Sequence, residues 1–135
     1  KKTSSDISYK FIVTKEDYLD KVVELNPASI ETADENFIDC SVKPVGQLSF
    51  SIKSSGGATL SDELVFSFSN DAEVGSSFVS LFFQGNQIDT TLVTSVLGDQ
   101  YNKYTYILRR NGSYLQVEDS VFCDRGVLTQ KEIQL

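Results

Sequence analysis

The chain contains no histidine and no methionine, only two cysteines and two prolines, and no apolar run longer than a strand needs. Each gap removes a class of function. Without imidazole, Ser-His-Asp and Cys-His nucleophile systems are excluded, as is an iron site built from two histidines and a carboxylate. With no histidine and only two thiols, a zinc site is excluded as well. No P-loop and no G-x-G-x-x-G occurs, and no S-x-x-K supports a Ser-Lys mechanism. No cofactor is expected. The longest apolar runs, such as Leu81-Phe82-Phe83, fall far short of the roughly 20 residues that a membrane-spanning helix requires. The absence of an initiator methionine gives the expectation of a mature or trimmed chain, with a leader, and with it any lipid anchor, on a removed segment.

Basic residues are also scarce. Among 135 residues, 12 are basic and 19 acidic, a net charge of −7. Arg109-Arg110 is the basic pair outside the N-terminal lysines, so nucleic acid is not an expected partner. An acidic surface instead favours association with a basic protein.

What is present alternates. Leu48, Phe50 and Ile52 interleave with Ser49, Ser51 and Lys53, and Leu64, Phe66 and Phe68 follow the same pattern, as half-buried strands do. Asn111-Gly112 predicts a two-residue turn that pairs Leu108 with Leu115 and Tyr106 with Val117. Gly85-Asn86 predicts a second hairpin, pairing Phe83 with Ile88 and Val79 with Leu92. Ile7, Tyr9, Phe11 and Val13 read as a first strand, Phe37–Val42 as another, and Val121–Cys123 as a late one, with Val127–Leu135 as a terminal strand or tail. Tyr18, Leu19, Val22, Val23 and Leu25 recur at helical spacing after Thr14, with Asp17 in a near capping box. They predict one amphipathic helix over about 15–26, closed by Pro27.

The expected architecture is one mainly β domain over residues 1–135, a sandwich or small antiparallel barrel-like sheet. It has eight or nine strands, largely in meander order, and the one short N-terminal helix. Residues 1–6 are expected to form a disordered tail and about 37–128 the sheet core.

Cys40 and Cys123, both in strand-like contexts, suggest one disulfide. Closing so long a loop would contribute about 4–5 kcal/mol in the chain-entropy model. The acidic pairs Asp34/Glu35, Asp62/Glu63, Asp71/Glu73 and Glu118/Asp119 admit a carboxylate-based hydrolase if two of them converge. Calcium is disfavoured because no spaced Asp/Asn loop is present. Asn111-Gly112-Ser113 matches the N-glycosylation pattern, though the hairpin turn alone accounts for Asn-Gly. Beside the hairpin tip Arg109, Arg110 and Tyr114 are of the residue types that anchor protein interfaces.

The early cysteine Cys40, the late cysteine Cys123 and the run Gly112-Ser113-Tyr114, on an acidic β domain, resemble the periplasmic and membrane-bound inhibitors of C-type lysozyme. The resemblance spans at most Phe37 to Asp124, and the helix lies outside it. It implies a periplasmic, secreted or cell-surface inhibitor, or an immunity protein of similar type, that blocks a cationic cell-wall-degrading enzyme. Arg109, Arg110, Ser113 and Tyr114 would form the inserted tip, and Asp71, Glu73 and Asp99 the charge contacts. The alternative is a pilin-like or adhesin module whose open sheet edge or aromatic face is completed by a neighbouring chain.

Overall fold

The computed structural model describes residues 8–30, 37–74 and 78–135 of the chain. The fold is mainly β: the described residues form nine strands in three sheets and no closed barrel. No helix among the described residues is long and apolar enough to cross a membrane.

β1 (Tyr9–Val13) and β2 (Lys21–Leu25) form an antiparallel ribbon in which Phe11 faces Val23 and Ile12 faces Val22. The helix expected over 15–26 is therefore absent. Asp17 adopts a φ of 60°, which a continuing helix cannot accommodate. The Tyr18 N–H donates to Lys15 O to close a turn. The β-branched pair Val22-Val23 then extends as a strand. Beyond it, Asn26 caps a short 3-10 turn at Pro27–Ser29 through the Ala28 N–H.

The sandwich comprises β3 (Val45–Lys53), β4 (Glu63–Ser69), β5 (Phe78–Gln84), β6 (Asp89–Leu97), β7 (Gln100–Arg110), β8 (Ser113–Cys123) and β9 (Leu128–Gln134). One sheet has the order β6-β3-β9 and the other β5-β4-β7-β8. The sheet core thus runs from Val45 to Gln134 and not from 37 to 128. Phe37–Val42 forms no strand, and Phe37 is fully exposed. The expected strand at Val121–Cys123 is the end of β8, and Val127–Leu135 supplies β9.

Neither the meander nor the all-antiparallel expectation holds. Only β4–β5 and β7–β8 are hairpins within the sandwich, the other links cross between sheets, and β9 runs parallel to β3. The Asn111-Gly112 hairpin does form, with Leu108 opposite Leu115 and Tyr106 opposite Val117, and with φ of 51° and 79° at the turn. The Gly85-Asn86 hairpin does not. Gly85 has a φ of 104°, its N–H donates to Asp62 O beside the start of β4, and the chain then crosses to β6 in the other sheet. Phe83 consequently faces Leu64, Val79 faces Phe68, and Leu92 faces Phe50. Ile88 is buried in the crossover and bonds to Ser54 through both its N–H and its carbonyl.

The core is the meeting of Leu48, Phe50 and Ile52 with Leu64, Phe66 and Phe68, all fully buried. The Phe50 ring lies edge-on to Phe66 at 4.9 Å, Tyr104 at 5.1 Å and Phe68 at 5.5 Å. Each such pair adds about 0.5–1.5 kcal/mol beyond area burial. The expected disulfide is not formed. Cys40 and Cys123 are both free thiols. Cys40 sits on the strandless segment after Phe37, whereas Cys123 is sealed at the end of β8, where burial pushes its thiol pKa up.

Candidate binding surface

The two ends of the sandwich differ. At one end the β7–β8 turn projects beside the start of β4, because the registers pair Glu63 with Arg109 and Arg109 with Tyr114. Arg109 donates from Nη1 to Glu63 Oε2 at 3.1 Å and stands 5.7 Å over the Tyr114 ring. Tyr114 itself is 70% exposed. Alternation turns Arg110 the other way. Its Nε and Nη2 both converge on Asp62 Oδ2, at 2.8 and 2.7 Å. Nε makes the hydrogen bond, and Nη2 adds a close ion-pair contact to the same oxygen. Thr59 Oγ1 donates to the other carboxylate oxygen at 2.6 Å. The Arg110 guanidinium, and then Thr59, hold the buried Asp62 carboxyl below its ordinary pKa despite its burial. Ser113 is exposed at the turn.

On the outer face of the same sheet, one residue row inward, Phe82, Val65 and Ile107 stand side by side. All three are exposed, Phe82 by 63%. The face therefore carries an exposed apolar row next to an Arg–Tyr stack, and of these Phe82, Tyr114 and Arg109 are of the residue types enriched at interfaces. Under the turn, a depression of about 350 Å³ is floored by Leu108 and Leu115 and walled by Arg110, Ser113 and Tyr114.

The acidic residues expected to work with this tip lie at the opposite end, roughly 20 Å away along β4 at strand rise. Lys43 Nζ bridges Asp71 and Glu73, at 3.1 Å to each. Asp71 also accepts the Glu73 N–H, which with Lys43 lowers its pKa. Asp99, at a φ of 55°, accepts the Arg125 N–H at 3.1 Å, with the guanidinium 3.9 Å away. Hence Arg109, Arg110, Ser113 and Tyr114 form one cluster, and Asp71, Glu73 and Asp99 belong to loop-fixing contacts elsewhere.

Sequence reasoning missed a further cluster at the open side of the sandwich. Tyr104 Oη donates to Asp119 Oδ2 at 2.7 Å, and Lys131 Nζ reaches the same oxygen at 3.0 Å from β9. The hydroxyl, the ammonium and the Ser120 N–H bring the Asp119 pKa down to about 2, while burial pushes Tyr104 up. The signal was available: the Asn111-Gly112 register sets Asp119 opposite Tyr104 on the inward face. Asp34 and Glu35 lie outside the described residues. Three of the other acidic residues named as candidate pairs, Asp62, Asp71 and Asp119, are lowered by cations and N–H groups. A general acid requires the reverse shift. No family model, no curated protein and no solved structure matches this chain.

Proposed function

We propose that the chain is a non-enzymatic binding protein that acts outside the cytoplasm by occluding a cationic, lysozyme-like cell-wall-degrading enzyme, with the β7–β8 end as its contact surface. One observation carries the reading: Arg109 stacked on exposed Tyr114, backed by the exposed row Phe82, Val65 and Ile107, on a chain of net charge −7. The apolar row supplies area to bury, the Arg–Tyr stack supplies an anchor, and the overall charge steers a basic partner into encounter. Asp71, Glu73 and Asp99, held by Lys43 and Arg125 at the far end, contribute to steering and not to contact.

The test is titration with a basic C-type lysozyme at low and high salt. Binding should weaken as salt rises, and the double variant Arg109→Ala/Tyr114→Ala should weaken it by about a hundredfold, as loss of a hot-spot pair does. No binding at low salt, or binding that this double variant leaves unchanged, rejects the reading.

A further inference from the structure

Among the described residues the β7–β8 hairpin leaves one side of β8 unpaired, since β8 ends its sheet. A two-residue turn makes Arg110 and Ser113 a mutually hydrogen-bonded pair, and the pattern alternates from there. Residues 113, 115, 117, 119, 121 and 123 therefore bond to β7. Tyr114, Gln116, Glu118, Ser120 and Phe122 turn their N–H and C=O groups to the open side. At Ser120 this donor is already taken, because its N–H donates to Asp119 Oδ1 at 2.7 Å. The open template is thus the half of β8 nearest the turn, Tyr114 to Glu118.

That half lacks the devices that protect an edge. It has no proline, no lysine and no bulge, and its register with β7 is unbroken. Its inner side is also unfinished. The opposing sheet has three strands against four, so Leu115 faces inward yet stays 52% exposed beside the depression floored by Leu108. On the outer side the only charge along the template is Glu118.

From these features we infer that β8 accepts an extended segment of a basic partner protein as an added strand, with an apolar side chain over Leu108 and Leu115 and a lysine or arginine opposite Glu118. A second copy of this chain is the poorer occupant: each copy carries −7, and full-length pairing of β8 with itself would set Glu118 against Glu118. The inference deepens the binding reading above, by specifying how a basic partner engages the same end of the molecule, and it rests on that end being the contact surface.

The probe is a synthetic peptide of alternating valine and threonine with a central lysine, compared with the same peptide carrying a central glutamate. Amide hydrogen exchange on the full chain should show the lysine peptide protecting Tyr114, Gln116 and Glu118, with the glutamate peptide binding about tenfold more weakly. Gln116→Pro removes one open-side N–H without touching the β7 ladder and should abolish the protection. Glu118→Lys, which leaves the backbone intact, should invert the peptide preference. Unprotected β8 amides, equal binding of the two peptides, indifference to both variants, or a dimer formed through β8 would each overturn the inference. If lysozyme binds through Arg109 and Tyr114 while the peptide leaves β8 unprotected, strand addition fails and the binding reading stands. If neither binds, both fail.

Discussion

At the residue scale, most stabilising charge contacts in this molecule depend on a carboxylate staying ionised. Asp119 is the sharpest instance, because one carboxylate joins three strands: its own, Tyr104 of β7 and Lys131 of β9. Its pKa falls from the ordinary 3.8 to about 2 in the fold. Above the unfolded value both states are ionised, and the full contribution is present. As the pH drops below about 4 the unfolded chain takes up a proton that the native state refuses, so stability declines until the folded carboxyl also protonates near 2. Asp62 and Asp71, lowered by Arg110 and by the Glu73 N–H with Lys43, push in the same direction. Denaturant midpoints measured between pH 5 and pH 2 should therefore fall with acidification, and Asp119→Asn should have a lower midpoint near neutrality and a shallower acid slope. A variant slope equal to that of the parent would show that Asp119 is not a linked group.

At the element scale, glycine position decides whether crossovers close. The β8–β9 crossover passes directly over the start of β3: the Gly126 N–H donates to Val45 O, and the Gln47 N–H to Val127 O. A Cβ on Gly46 would meet Asp124 O at 2.6 Å, an atom of the backbone that cannot rotate aside. Gly46→Ala should lower stability by about 1–3 kcal/mol, as overpacking does. Gly56→Ala, with no atom within 4 Å of the added methyl, should leave the melting temperature near that of the parent. Equal melting temperatures for the two variants would contradict the close approach.

The same scale shows what could be read from the chain. Asn111-Gly112 fixed its hairpin because a left-handed turn between alternating strands admits one register, and from that register the Tyr104–Asp119 pair could have been deduced. Gly85 has the positive φ that a hairpin turn would need, but no hairpin forms there: Val79 is satisfied equally by Leu92 or by Phe68, so apolar matching could not choose the partner strand. Tyr18, Leu19, Val22, Val23 and Leu25 fit a helical stripe as well as a strand, and the deciding fact, Asp17 in the left-handed region, is conformational. The Arg109–Glu63 and Arg110–Asp62 pairs arise because β4 lies beside β7, which no local pattern encodes. An even count of cysteines says nothing about where two thiols point, and Cys40 and Cys123 stay unpaired with each other.

At the scale of the whole molecule, the sandwich closes only when its last strand arrives. β3 is the centre of its sheet, flanked by β6 on one side and β9 on the other, and Gln47 of β3 pairs with Leu128 of β9. Ile133 and Leu135 fill the core from that side, and Lys131 reaches across to Asp119 of the other sheet. So much non-local pairing places the chain among slow folders, in the millisecond-to-second range. The N-terminal ribbon has the opposite character. Its Tyr9, Phe11, Ile12 and Val22 are largely exposed, and a two-stranded ribbon is marginal by itself. Its ties to the sandwich include the Leu19 N–H to Lys43 O bond, the Val45 N–H to Asp17 O bond and the Tyr18–Pro44 bridge. Deleting residues 128–135 should therefore abolish the cooperative thermal transition, whereas Phe11→Ala should leave that transition in place with a small shift. Differential scanning calorimetry distinguishes these outcomes, and a cooperative melt in the chain lacking β9 would show that β3 and β6 can hold their sheet without it.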